Sequence, residues 1–356
     1  MNTSFKPGKV WCDNNNIPIN AHGAGMLVHR GKYYWYGEHK IDGDYGNQAW
    51  VGVHAYSSDD LYNWTDEGIA FSIADNLNED IFPTCIIERP KVLFCEKTGK
   101  FVMWFHYDIR GSELKGTKLP GSYGVAVSDN PVKDFKLLYI GRVNKGHWPV
   151  NADDSLKDPQ LIEKTKEVYS ELRYDANEAT PEYSVLGMDI ENGQQSRDMT
   201  LFLDDDGKAY HIYSSEKNST THIARLSDDF TGHTGEYYRV FPNRWMEAPC
   251  IFKRDGKYYF IASDCTSWAP NAARSAVAEH IYGPWTELGN PAGDHDLAET
   301  TFESQSTYVL QVEDEYIYLG DRWRPQNAID GRYVWLPLTF QDEKPVLEWH
   351  DEWRLS

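Results

Sequence analysis

One phrase recurs five times along this chain: an apolar run, a tight polar turn, then an aromatic run. It reads AHGAGMLVHRGKYYWYGE at 21–38, RPKVLFCEKTGKFVMWFH at 89–106, DMTLFLDDDGKAYHIYSS at 198–215, APCIFKRDGKYYFIASD at 248–264 and STYVLQVEDEYIYLGD at 306–321. The turns RGK, KTGK, DDGK, RDGK and EDE supply the backbone freedom of a β-hairpin. After most copies comes a second phrase, as in VGVHAYSSDDLYNWTDEG, YGVAVSDNPVKDFKLLY, HIARLSDDFTGHTGEYY and ARSAVAEHIYGPWTELG, with RYVWLPLTFQDEKPVLEW a looser fifth. Strand, Ser/Asp-rich turn and aromatic strand fit the outer pair of a four-stranded sheet. Repeated sheets of this kind bury both faces only against their neighbours, so the pattern predicts an all-β chain folded as a five-bladed β-propeller. Chance similarity within a β-sandwich accounts poorly for two phrases kept in order.

We expect one propeller over residues 1–356, interrupted between blades two and three by a charged segment of weak periodicity at about 144–193. That segment is either a wall or lid beside a pocket or a surface elaboration.

In a propeller the first strand of each blade lines the central channel, so the residues opening these strands converge on one face. His22 stands nine residues before Gly31, Asp198 nine before Gly207, Glu247 nine before Gly256 and Gln305 nine before Asp314. Glu88 precedes Gly99 by eleven, its turn being longer, yet ERP at 88–90 and EAP at 247–249 share an opening. The expected ring is therefore His22, Glu88, Asp198, Glu247 and Gln305. The returning strands end on the same face, which adds Glu38, Asp108, Glu216, Arg322, Trp268 and Trp323, with Arg89 beside Glu88.

Carboxylates, guanidinium donors and aromatic platforms together suit a carbohydrate, whose ring faces stack and whose hydroxyls need polar partners. Cleaving a glycosidic bond takes a proton for the leaving oxygen and an activated nucleophile, usually from two carboxyl groups. Glu247 is the expected acid, crowded by Glu88 or Asp198. Asp198 follows Arg197, so it is either an Arg-paired structural group or the residue that orients the acid. His22 is either a satisfied channel histidine or a cation ligand. Glu38 and Glu88 either grip sugar hydroxyls or pair with Arg89.

A formal net charge of −20 argues against nucleic-acid or anionic-membrane partners. The 13 Trp and 23 Tyr exceed what a core alone uses and favour a ligand with flat faces. The five cysteines lack CxxC spacing, and no nucleotide or zinc fingerprint occurs. No cofactor is expected, and no ligand cluster demands a cation in the central channel. The N-terminal stretch lacks the apolar run of a signal peptide, and no segment reaches the roughly 18 apolar residues of a membrane span. The chain as written reads as cytoplasmic, or as secreted if a signal has been removed.

The motifs NAHGAGMLVHRGKYYWYGE, ERPKVLF, SRDMTLF, EAPCIFKRDGKYYFIASD and FESQST, spread over nearly the whole chain, resemble glycoside hydrolase family 43, and within it the exo-β-1,3-galactanase branch. The resemblance implies inversion at the anomeric carbon, with Glu247 as acid and Asp198 as its modulator. Glu38, Glu88 and Tyr123 would bind substrate. Most of the family opens blade one with a general-base Asp, where PINAHGAG offers Asn20 and His22. In the galactanase branch a fifth-blade Gln is proposed as base, and Gln305 matches it; Glu88 is the alternative. The implied activity is release of galactose from β-1,3-galactan main chains of arabinogalactan. An α-L-arabinofuranosidase or β-xylosidase, and a sugar-binding propeller without catalysis, are the competing readings.

Overall fold

Antiparallel four-stranded sheets follow one another along the chain, each with its strands in sequence order. In the computed structural model, which describes residues 1–42, 51–77, 85–109, 121–172, 183–293, 295–330 and 332–356, five such blades form a β-propeller. Blade one holds β1 (His22–His29), β2 (Lys32–His39), β3 (Gly52–Ser58) and β4 (Thr65–Ser72), and blade two holds β5 (Cys85–Cys95), β6 (Lys100–Ile109), β7 (Ser122–Ser128) and β8 (Lys136–Gly141). Blade three holds β9 (Met199–Leu203), β10 (Ala209–Ser215), β11 (Thr220–Leu226) and β12 (His233–Val240). Blade four holds β13 (Glu247–Arg254), β14 (Lys257–Ser263), β15 (Arg274–Ala278) and β16 (Thr286–Gly289). Blade five holds β17 (Gln305–Val312), β18 (Glu315–Arg322), β19 (Arg332–Gln341) and β20 (Lys344–Leu347).

The hairpin turns obey local sterics. Arg30 and Gly31 both take positive φ, as do Asp255 and Gly256. This is the two-residue turn whose twist matches that of the flanking strands.

Both faces of each sheet are apolar because each packs on a different neighbour. Leu27, Tyr36 and Val53 of blade one meet Ile87, Met103 and Phe105 of blade two. Trp104 and Val125 meet Leu201 and Tyr213 of blade three. Ile212 and Ile223 meet Phe260 and Ala276 of blade four. Cys250 and Ile261 meet Tyr318 and Leu336 of blade five. The wheel closes where Trp35 and Trp64 of blade one meet Leu319 and Trp335 of blade five. Phe5 and Trp353 exchange backbone hydrogen bonds of 2.8 and 3.1 Å across that seam.

The inner strands of blades one, two, four and five share one irregularity. Register shifts fall between His22 and Gly25, Glu88 and Lys91, Glu247 and Cys250, and Ser306 and Tyr308. In the two E-x-P openings the middle residue is left-handed, Arg89 at φ 54° and Ala248 at φ 52°. Such a bulge re-aims the side chain beside it, and here it turns the strand openers toward the channel mouth.

The 144–193 segment is helical where described, with a 3₁₀ turn at Asp154–Lys157 and helices at Pro159–Val168 and Val185–Asp189. Each is capped by an acidic or hydroxyl side chain, Asp153, Asp158 and Ser184. Arg142 and the buried Asp189 pair at 2.9 Å at its base, and Lys217 of blade three reaches the carbonyl of Tyr169 at 3.0 Å. Residues 173–182 of the expected interruption lie outside the described residues. Among the described residues no helix is long and apolar enough to cross a membrane.

Candidate active site

At the channel mouth a cavity of about 180 Å³ is lined by Glu38, Glu88, Arg89, Asp198, Glu247, Ser267, Trp268, Gln305 and Trp323. All five blades contribute, so the convergence expected of the strand openers is realised for Glu88, Asp198, Glu247 and Gln305. A second cavity of about 360 Å³ between blades four and five shares Ser267, Trp268, Gln305 and Trp323 with it. Arg322, Arg324 and Glu303 line this outer space.

Arg89 is the keystone. Its Nη2 donates to Gln305 Oε1 at 2.6 Å and lies 3.0 Å from Asp198 Oδ2; its Nη1 donates to the Ser306 carbonyl at 3.0 Å. Its backbone N–H donates to Glu38 Oε1 at 3.0 Å. One left-handed residue of blade two thus ties together blades one, three and five. Asp198 is Arg-paired, but to Arg89 rather than to its sequence neighbour Arg197, which approaches Asp108 at 3.9 Å.

The carboxyls differ in environment. Glu247 is pushed up to about 8, chiefly by burial and then by the charge of Asp198, with Arg89 opposing. Its oxygens receive Gln305 Nε2 at 3.3 Å and Asn218 Nδ2 at 3.4 Å. Glu88 moves the other way. Burial works against its ionised form, but the hydrogen bond and charge of His106, 3.0 Å away, outweigh burial and hold it below the usual range. His106 itself is raised to about 9, burial being overcome by Asp108 and Glu88. Glu38, fully buried, pairs with Lys40 at 2.6 Å, and burial raises it despite that partner. Two carboxyls driven apart, one holding its proton and the other ionised, form an arrangement able to support acid–base chemistry.

Some of the expected residues lie outside this cavity. Tyr123 is buried between blades two and three, stacked on Trp104 with ring centroids 4.9 Å apart, and does not line the cavity. Its alternation along β7 sends it into the inter-blade core. His22 is 2% exposed and stacks on Trp323 at 5.2 Å, supporting the platform from behind. Among the described residues neither of its ring nitrogens has a hydrogen-bond partner, so it is not a satisfied histidine there. Burial, with the nearby charge of Lys40, lowers it to about 3. Arg322 donates to the Phe302 carbonyl at 2.6 Å and borders the outer cavity only. Trp268, 42% exposed, stands where the two cavities join. Glu216, expected at this face, is sealed against Arg239 and His222.

Sequence reasoning missed His106, Lys40 and Lys91. His106 lies directly opposite Glu88 in the β5–β6 register, a signal available once the hairpin is drawn. Lys91, 2% exposed, donates to the carbonyls of Gly23 at 3.0 Å and Arg89 at 3.4 Å and braces blade one against blade two. No spacing rule marks it. Among the described residues, donor atoms of Glu88, His106 and Asp198 lie within 4.8 Å of one another, a grouping able to hold a cation. Glu88 is already bonded to His106 and Asp198 to Arg89.

Comparison with known proteins agrees with this geometry. The profile of the glycosyl hydrolases family 43 matches residues 174–319. A family 43 β-1,3-galactosidase solved with galactodeoxynojirimycin is 44% identical, covering 99% of this chain and 100% of its own, with a TM-score of 0.88. An exo-β-1,3-galactanase from Phanerochaete chrysosporium solved with β-1,3-galactotriose is 28% identical over 100% of this chain and 69% of its own, with a TM-score of 0.77. A β-D-galactofuranosidase of Aspergillus niger is 24% identical over 170 residues, 46% of this chain and about half (49%) of that protein. With a 44% identical relative matched end to end and the strand-opening carboxyls gathered at one channel mouth, the chain belongs to glycoside hydrolase family 43.

Proposed function

We propose that this protein is an inverting exo-β-1,3-galactosidase that releases galactose from the non-reducing end of β-1,3-galactan. The observation that carries the reading is the pairing of a protonated Glu247 with an ionised Glu88 around one small cavity. At about 180 Å³ that cavity is below the roughly 300–1,000 Å³ of sites for larger ligands and suits a single sugar ring. The outer cavity, which joins the smaller one at Trp268 and Gln305, offers room for the chain left behind. Relatives named for β-1,3-galactosidase and exo-β-1,3-galactanase activity support the linkage.

In this reading Glu247 delivers its proton to the glycosidic oxygen while water attacks the anomeric carbon from the opposite side. Burial and the charge of Asp198 keep Glu247 protonated, and Trp323 and Trp268 offer faces to the sugar. Glu38 is held ready for hydroxyls by Lys40 and the Arg89 N–H. The proton transfers are carboxylate chemistry, and the reading needs no cofactor.

The test is incubation with β-1,3-galactobiose and β-1,3-galactotriose, following products by NMR. Galactose appearing first as the α-anomer supports the reading. Its first appearance as the β-anomer, or hydrolysis of aryl α-L-arabinofuranoside or β-xyloside with the galactosides left intact, overturns it.

A further inference from the structure

Between β10 and β11 the chain turns through Glu216, Lys217 and Asn218, at φ 50°, 60° and 71°. Successive residues with side chains in the left-handed region are strained, and such a turn persists only where its surroundings hold it. Glu216 is held within its own blade by His222 and Arg239. The buried Asn218 donates from Nδ2 to Glu247 Oε1 at 3.4 Å. The other oxygen of Glu247 receives Gln305 Nε2 at 3.3 Å, an amide whose own oxygen accepts from Arg89 at 2.6 Å and Trp323 at 2.8 Å. Each oxygen of Glu247 therefore meets one amide, Asn218 from blade three and Gln305 from blade five.

Lys217, next to Asn218, is held by the inserted segment. Its Nζ donates to the carbonyls of Tyr169, at 3.0 Å, and Leu172, and lies 4.7 Å from the centre of the Tyr169 ring. Tyr169 is the C-cap of the Pro159–Val168 helix. Carbonyls at that end of a helix lack partners within it and favour a cation. A second link runs to the same residue: the buried Gln195 donates from Nε2 to the Tyr169 hydroxyl, and its Oε1 accepts the Lys217 backbone N–H at 3.1 Å. The segment thus grips Lys217 by side chain and by backbone. Its two helices are tied to each other by the Ser184 N–H, which donates to Thr165 Oγ1 at 2.8 Å. A lid would have to break the bonds to Lys217 on opening. Among the described residues none that lines either cavity belongs to the segment, so its route to the chemistry runs through Lys217.

We propose that the 144–193 segment is a brace for the acid: Tyr169 and Leu172 pin Lys217, a positioning residue, and Lys217 sets Asn218 against Glu247 so that the carboxyl keeps one orientation toward the glycosidic oxygen. The brace adds no step to the reaction. It governs how well the proton of Glu247 is aimed.

The brace rests on the galactosidase reading. Asn218→Ala, Lys217→Met, Lys217→Arg and Tyr169→Phe are compared by kcat and KM on β-1,3-galactobiose and on an aryl β-galactoside whose acidic phenol departs without a proton. Asn218→Ala and Lys217→Met are expected to lower kcat on galactobiose by about 10²-fold, the order that follows a displacement of about 1 Å. Both keep most of their turnover of the aryl galactoside. Lys217→Arg, still able to donate to both carbonyls, restores most of the galactobiose rate, and Tyr169→Phe, which loses only the link through Gln195, falls less than Lys217→Met. In Asn218→Ala the alkaline limb of kcat/KM moves to higher pH, because a donor that favours the ionised carboxyl is gone. Tyr169→Phe moves it the same way by less. Neither variant changes a charge, and Asp198, Arg89, Glu88 and Arg197, whose charges act on Glu247, stay in place, so the shift reports the amide. Should Lys217→Met fail to fold, Asn218→Ala and Tyr169→Phe carry the same comparison. The brace is overturned by equal losses on the two substrates, by a rise in KM with kcat intact, by Lys217→Arg losing as much as Lys217→Met, or by an Asn218→Ala limb that does not move. Wild-type enzyme that leaves β-1,3-galactobiose intact but cleaves another glycoside refutes the substrate instead, and the same variants then test the brace on that glycoside.

Discussion

As the proposed acid, Glu247 must carry a proton at a pH where an ordinary carboxyl has lost it, and burial beside Asp198 achieves this by raising it to about 8. Activity should therefore fall as pH rises through about 8, a limb visible in kcat/KM, which reports the free enzyme. Replacing the acid by Glu247→Gln should lower kcat on galactobiose by about 10²–10⁴-fold, and by less on an aryl galactoside whose leaving group needs little help. The same shift has a stability consequence. Because the folded value lies above the model value of 4.5, the native state keeps a proton that the unfolded chain releases. Stability is thus lost as pH rises from about 4.5 to 8. Thermal melts should find Glu247→Gln more stable than wild type at pH 8 and equal to it near pH 4; equal melting temperatures at both would contradict the burial argument.

Within a blade, the bulged start of the inner strand positions the chemistry. Gly23, at φ 66°, lies where an added Cβ would collide with Glu38 Oε1. Gly23→Ala should displace that carboxylate, and displacement of about 1 Å at a site costs on the order of 10²-fold in rate; kcat/KM on galactobiose measures it. In blade three, Glu216 ends the β10 hairpin strand and holds β11 and β12 through His222 at 2.8 Å and Arg239 at 2.7 Å. Burial opposes its charge, but Arg239 and His222 outweigh burial and pull it down to about 2. Its contribution is complete above the model value of 4.5 and is lost as pH falls from there toward about 2. Glu216→Gln leaves Arg239 buried without its partner and should cost about 3–5 kcal/mol in urea unfolding at pH 7. A cost under about 1 kcal/mol would mean that Arg239 finds water.

The whole molecule is a ring, and a ring is as sound as its seam. Phe5, 1% exposed, joins the aromatic cluster of Trp11, Tyr62, Trp335 and Trp353 that locks blade one to blade five. Phe5→Ala should cost about 3–5 kcal/mol and lower the midpoint of a single unfolding transition. A second, earlier transition confined to blades one and five would show instead that the seam opens by itself. Closure matters for function because Arg89 bonds to Gln305 and Ser306 only if blade five returns to the hub.

The repeated hairpins were legible in the sequence because turn sterics and strand burial are local, and two phrases written five times admit few architectures. The openers Asp198, Glu247 and Gln305 were legible for the same reason: a count of nine from each turn puts them at one height, and the ERP opening shared with EAP placed Glu88 beside them. Tyr123 was misplaced because alternation along a third strand sends a side chain into an inter-blade core that a single blade does not define. The helices of the 144–193 segment rest on caps and on docking against blade three rather than on a strong apolar stripe, so periodicity missed them. The donors that lock the Gln305 amide, and the burial that sets Glu247 and Glu88 apart, arise between residues as distant as Arg89 and Gln305. Such contacts exist only once the ring is closed. Sequence by itself determined which groups reach the hub; tertiary structure decided which of them touch, and through desolvation and charge, which hold protons.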